Sequence, residues 1–276
     1  MENPIADGVK KVTEGVKNMT TSNKPQKQSK KKEKKGGQDG AKRTADELSP
    51  EPDFIDYRLH IFDKLRAKYD AEVAKKPRKP ITITFPDGKT TIGKSWETSP
   101  GEIARSLSKS LYERTVISEV DGDLWDLERP LEKSCRLRFL DFDDPKGKQV
   151  FWHSSAHVLG ECSELCLGSH LVLGPPIDDG FYYEMSLPEE AAVVQSDIEP
   201  LERVAAKMIK EKQTFVRLTL SKEDLLEMFK YNKYKQHLIN DKIPDGTSTT
   251  VYKNGKLIDL CRGPHVSIDP ISFKFF

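Results

Sequence analysis

The stretch WHSSAH at 152–157 sets His153 and His157 four residues apart, which on a helix puts both imidazoles on one face, about 40° apart around the axis. The stretch DLCRGPH at 259–265 supplies a counterpart. Side chains alternate along a strand, so Leu257, Asp259 and Cys261 share one face while Ile258 and Leu260 take the other. Gly263 and Pro264 end the strand, and a turn there carries His265 round beside Cys261. Spacing alone leaves more than one chemistry open. Two His, a Cys and a further His make a tetrahedral zinc set. Without metal, imidazoles that are neutral near pH 7 serve as proton acceptors, and a Cys-His pair is a nucleophile with its base. Cys162 and Cys166 lie roughly 140° to 180° round the helix from His153 and are expected in the core.

Two folded units must hold these groups. From 80 to 144, ITITFPDGKTTI is a hairpin around a Pro-Asp-Gly turn, and SPGEIARSLSKSL is a single helix opened by Ser99 and Pro100. TVISEV, an Asp121-Gly122 turn, DLWDL and CRLRFLDF supply further strands, with Cys135 a small packed residue opening the last. Two hairpins with one helix packed across them fit a β-grasp sheet. From 145 to 276 the histidine-bearing helix comes first. DIEPLERVAAKMIKEKQ follows, with Ile198, Leu201, Val204, Ala205, Met208 and Ile209 on a buried stripe. TFVRLTL is a strand, Ser221 caps KEDLLEMF, and TTVYKNGKLIDLC is a hairpin with Asn254-Gly255 at its tip. The second unit, like the chain as a whole, is α+β.

Before these units, residues 51–79 predict a helical lead-in to the first of them. Phe54, Tyr57, Ile61, Leu65, Tyr69 and Val73 recur at helical spacing between Pro52 and Pro77, and Lys64, Arg66 and Lys68 face water or RNA. Residues 1–50 form a disordered Lys-rich extension, in which 24–43 hold nine Lys or Arg against Glu33 and Asp39, a net of +7. The whole chain is only +1, so a basic tail joins a mildly acidic body; the tail either is solvated, attracts RNA phosphates or serves nuclear entry. Upstream of the basic run, Ile5, Val9, Val12 and Val16 make a thin apolar stripe, expected as a short partner-binding helix. No apolar run approaches the roughly 20 residues that cross a bilayer, no signal-peptide pattern opens the chain, and four cysteines among 276 residues are expected reduced. A cytoplasmic protein with no membrane contact is expected.

The motifs HSSAHVLGE, GPPIDDGFYYEM, YNKYK and LIDLCRGPHV, in this order and spacing, resemble the second domain of cytosolic eukaryotic threonyl-tRNA synthetases, and the 80–144 unit resembles that family's ubiquitin-like TGS domain. The resemblance implies that 145–276 is an editing domain, incomplete at its C-terminus, that hydrolyses seryl-tRNA(Thr). It implies His153, Lys235, Asp259 and Cys261 as catalytic residues and His157 and His265 as substrate-binding ones. Asp259 is expected to pair with the seryl ammonium, with His153 and Lys235 working on the water and Cys261 shaping the pocket. The resemblance further implies a metal-free site that meets the acceptor end of tRNA(Thr). Related alanyl-tRNA editing domains use the same pattern for zinc, so the metal alternative stands. No cofactor is expected of this chain: ATP, Mg and a catalytic-domain zinc belong to a part of the family's enzyme that nothing after His265 supplies, and SIDPISFKFF departs from the family there. The chain is therefore expected to be a truncated product unable to ligate threonine by itself, and homodimerisation is implied for the full-length enzyme only. The competing reading is a noncatalytic module that binds tRNA or a partner through the TGS-like unit and basic tail.

Overall fold

The computed structural model describes residues 47–267. The apolar stripe at 5–16, the Lys-rich segment and the closing residues 268–276 lie outside the described residues.

Helix α1 (Asp53–Ala74) is entered through Pro52. Its buried line is Ile55, Arg58 and Phe62, one residue off the centre of the expected stripe, whose members are all half-buried. The helix does not pack as a lead-in to the first unit. Ile55 joins a core made by the histidine helix and Val204, Ala205 and Met208, while Phe62 joins the core of the last sheet. The cause is the buried Arg58 guanidinium. It pairs with Glu164 of the histidine helix (Nη1 to Oε1 2.7 Å) and donates to the Tyr231 hydroxyl at 3.0 Å and the Lys256 carbonyl at 2.9 Å. Each of those partners belongs to the second unit. Of the lead-in cations, Arg66 pairs with Asp70 at 2.8 Å, and Lys64 and Lys68 are exposed.

Strands β1 (Pro80–Thr84), β2 (Thr90–Lys94), β3 (Ile117–Val120), β4 (Asp123–Trp125) and β5 (Cys135–Leu140) form one sheet in the order β2-β1-β5-β3-β4. The central β1–β5 pair is parallel with Ile83 opposite Cys135, and the other pairs are antiparallel. This is the β-grasp arrangement, with Ile81, Ile83, Val120, Leu131, Cys135 and Leu137 packed beneath Ile103 of the crossing helix. The expected single helix is two, α2 (Pro100–Leu107) and α3 (Lys109–Arg114). Ser108 breaks it. Its backbone is extended (φ −167°, ψ 148°), and its hydroxyl accepts from the Leu111 amide, so a serine inside the periodic pattern acts as a second N-cap.

The second unit is built on α4 (Pro145–Leu167), capped by Asp144 and closed by Gly168 at φ 61°. Short strands β6 (His170–Leu173), β7 (Pro176–Ile177), β8 (Gly180–Phe181) and β9 (Glu184–Ser186) form two two-stranded pieces beside it. Helix α5 (Gln195–Glu211) buries Val204, Ala205 and Met208, but Ile198 in its first turn is exposed and outside that core. Strand β10 (Val216–Ser221), helix α6 (Lys222–Met228), helix α7 (Lys233–Lys242), β11 (Ser248–Asn254) and β12 (Leu257–Leu260) complete the elements of the described residues, the three strands lying antiparallel in sequence order. Asn254 pairs with Leu257, so Gly255 and Lys256 make the turn and the tip lies one residue beyond the expected one. Among the described residues no helix is long and apolar enough to cross a membrane.

Candidate active site

Helix α4 presents His153 and His157 where the chain leaves β12. The alternation read for β12 holds: Leu257 packs with Ala156, Leu171 and Tyr183, whereas Ile258 and Leu260 turn to the core of the last sheet. Asp259 and Cys261 therefore face α4. Cys261 Sγ lies 3.3 Å from His153 Nε2 and 3.3 Å from His265 Nε2, and the His265 ring centroid is 4.5 Å from that of His153 and 4.3 Å from that of His157. One donor atom from each of His153, His157, Cys261 and His265 falls within 4.8 Å of all the others. His157 and His265 are buried, while His153 is half-buried and forms the accessible edge.

The hydrogen bonds fix one tautomer. Ser154 Oγ, one turn from His157, gives its single proton to the Val150 carbonyl at 2.8 Å. It must then accept from His265 Nδ1–H, 3.1 Å away, as it accepts from the Val266 amide at 3.1 Å. His265 Nε2 is left unprotonated, an acceptor 3.3 Å from the Cys261 thiol. Burial pushes the Cys261 thiol up, burial pushes His153 down to about 4 and His157 to about 3, and burial holds His265 well below its ordinary value. The cluster is thus a neutral thiol among neutral imidazoles. A thiolate–imidazolium pair has no support here.

Lys235 and Asp259 stand beside it. Asn232 starts α7, its Oδ1 accepting from the amides of Tyr234 and Lys235 at 3.0 and 3.1 Å and its Nδ2 donating to the Leu171 carbonyl at 2.8 Å. This sends the buried Lys235 inward, where Nζ meets Asp259 Oδ1 at 2.6 Å and the Val172 carbonyl at 2.9 Å. Tyr183 donates its hydroxyl to Asp259 Oδ2, and the Leu260 amide donates to Oδ1 at 2.8 Å. Burial works to raise the Asp259 carboxyl, but the Lys235 ammonium holds it below the usual carboxylate range. Its negative charge in turn acts on His153 and His157. All six residues singled out from sequence belong to one constellation.

A family model for the TGS domain matches residues 81–141. The cytoplasmic threonine–tRNA ligase of Saccharomyces cerevisiae is 52% identical over 232 residues, covering 79% of this chain and 32% of the relative. That of Caenorhabditis elegans is 52% identical over 220 residues (80% and 30%), and the human cytoplasmic threonine–tRNA ligase 1 is 50% identical over 223 residues (80% and 31%). The chain is a homologue of the N-terminal region of cytosolic threonyl-tRNA synthetases. It spans about a third of the length of these curated relatives.

Within this synthetase-like chain the structure adds four residues that sequence reading did not assign. Tyr183 lies in the quoted GPPIDDGFYYEM motif, and Asn232 precedes a helix where an N-cap belongs, so both carried a signal. Ser154, between the two histidines, reads as an ordinary helix serine. Asp126, whose Oδ1 accepts from the His265 amide at 2.9 Å, comes from the other unit and gave no sign.

Proposed function

We propose that the site is an editing centre that hydrolyses the ester of seryl-tRNA(Thr), acting on the acceptor end of tRNA(Thr) in the cytoplasm. The observation that carries this reading is the convergence of three neutral imidazoles, a neutral thiol and a lysine–carboxylate pair where α4 meets β12. Serine differs from threonine by one methyl, and one methyl gives a binding pocket only about 1 to 3 kcal/mol of discrimination. A second, hydrolytic sieve is what such a synthetase needs. Asp259 offers roughly four acceptor positions, of which Lys235, Tyr183 and the Leu260 amide take three; the fourth receives the seryl ammonium. His153, the most accessible imidazole, takes the proton of the attacking water, and Lys235 steadies the oxyanion. His157 and His265 line the substrate side, and Cys261 shapes the floor. No cofactor enters these steps. Threonine ligation, with its ATP, Mg and zinc, and homodimerisation are assigned to the longer enzymes and not to the residues described here.

Zinc is the second reading, favoured by His157 Nδ1, which is buried with no hydrogen-bond partner among the described residues. The donors fit. Tetrahedral Zn–S and Zn–N bonds set ligand atoms about 3.5 Å apart, close to the 3.3 Å spacings at Cys261, and the imidazoles are already neutral. Such an ion would be held by His153, His157, Cys261 and His265 and would polarise a bound oxygen only if a coordination position stayed open; four protein ligands leave none. Zinc there would be structural, which is why the hydrolytic reading rests on the side chains.

The test compares deacylation of seryl-tRNA(Thr) by the chain and by its His153→Ala and Asp259→Asn variants, with zinc content measured on the same samples. The expected outcome is a loss of about 10²- to 10⁴-fold in rate for His153→Ala in protein free of stoichiometric zinc. Unchanged rates in both variants overturn the role assignments, and one zinc per chain that disappears with Cys261→Ser establishes the metal reading. Salt-sensitive tRNA binding without hydrolysis marks a noncatalytic module.

A further inference from the structure

Beyond Cys261 the backbone has no ladder to hold it. Among the described residues no backbone-to-backbone hydrogen bond reaches 262–267. Three of its amides are taken up by side chains instead. Gly263 N–H donates to Cys261 Sγ at 3.2 Å, Val266 N–H to Ser154 Oγ at 3.1 Å, and His265 N–H to Asp126 Oδ1 at 2.9 Å. The first two acceptors belong to the second unit. Asp126 belongs to the β-grasp unit, in the loop that leaves β4.

Its other oxygen makes the attachment two-pronged. Oδ2 accepts the Tyr252 hydroxyl at 2.8 Å, and the Tyr252 ring meets His265 edge-on at 4.6 Å and 74°. Phe215 stacks on the same imidazole at 4.4 Å and 12°. Tyr252 also fills the space over Gly263, where a Cβ would stand 2.2 Å from its hydroxyl oxygen. One carboxylate thereby fixes both the backbone of His265 and the aromatic ring that orients it. A cleft of about 320 Å³, lined in part by Asp126, Phe215, Arg217 and His265, runs along this junction and gives the loop room to shift once the bond is lost.

We propose that Asp126 is a positioning residue, through which the β-grasp unit sets the place of the His265 imidazole against Cys261 and His153. A displacement of about 1 Å at a catalytic group can cost on the order of 10²-fold in rate, so the half-buried Asp126 carboxylate of the neighbouring unit is enough to make the hydrolytic site depend on that unit.

The inference uses the deacylase reading in its kinetic arm only, and the test has a second arm. The full chain is prepared with ¹⁵N-labelled histidine, of which it has six, and imidazole resonances and seryl-tRNA(Thr) kinetics are recorded for Asp126→Ala and Asp126→Asn. The expected result is that Asp126→Ala moves the His265 ring signals while exposed His60 and His237 stay in place, and that kcat falls by about 10- to 100-fold with KM within about twofold. Asn keeps an acceptor for the His265 amide, so Asp126→Asn should recover most of both. Should Asp126→Ala not fold, Asp126→Ser, too short to reach either donor, takes the same readings. Unmoved His265 signals with unchanged kcat overturn the proposal, as do shifts spread over all six histidines with a matching loss of stability and no recovery by Asn. If the parent chain does not hydrolyse seryl-tRNA, the functional reading fails while the histidine spectra still decide the positioning role.

Discussion

At the scale of single residues the site is defined by the cost of charge. Three imidazoles and a thiol share one largely buried corner, and burial keeps them all neutral, whereas the one full charge pair there, Lys235 with Asp259, is buried with both partners bonded. The histidines make stability depend on pH with a definite sign. Unfolded histidine titrates near 6.5, but His153 titrates at about 4 and His157 at about 3 in the folded chain. Between those values the unfolded state binds more protons, so the contribution is complete above pH 6.5 and is lost as pH falls toward 4, at roughly 1.4 kcal/mol per pH unit for each histidine. Urea midpoints measured from pH 7.5 to 4.5 should fall accordingly, and His157→Phe should flatten part of the slope. The ion pair gives a different signature. Lys235→Met leaves a buried carboxylate uncompensated and should cost about 3 to 5 kcal/mol, whereas adding Asp259→Asn should restore much of that loss. A double-variant cycle in denaturant reads the coupling directly.

At the scale of elements, position comes from ends and turns. The alternation of β12 and the four-residue spacing on α4 were legible because both follow from backbone geometry alone, which is why His153, His157, Asp259 and Cys261 could be brought together on paper. Lys235 was legible only by resemblance, since its direction depends on where α7 begins. Asn232 decides that, and it also holds α7 to β6 through the Leu171 carbonyl. Asn232→Ala should therefore do more than a lost cap, which costs about 0.5 to 2 kcal/mol. It should also lower deacylation by displacing Lys235, and a thermal melt run beside a rate measurement separates the two. Elsewhere local pattern misled for local reasons. Ser108 turned one helix into two by capping, and Ile198 fell on the right helical stripe yet lies exposed in the first turn.

At the scale of the molecule the less legible part was which unit holds which. Helix α1 precedes the β-grasp sheet in sequence yet is fastened to the second unit by buried Arg58 and Glu164, because no periodicity announces a buried arginine. Asp126 reaches the other way, from the β-grasp unit into the site. Long-range pairs of this kind depend on partners 106 and 139 residues distant, beyond anything that spacing can report. The two units are accordingly read as one apparatus around a hydrolytic corner, and a single comparison tests this. Initial rates of deacylation of seryl-tRNA(Thr) and threonyl-tRNA(Thr) by the full 276-residue chain, with and without chelator, should show serine released well above the uncatalysed rate, threonine retained, and no effect of the chelator. Equal release of both amino acids, or neither released faster than in buffer, would contradict it.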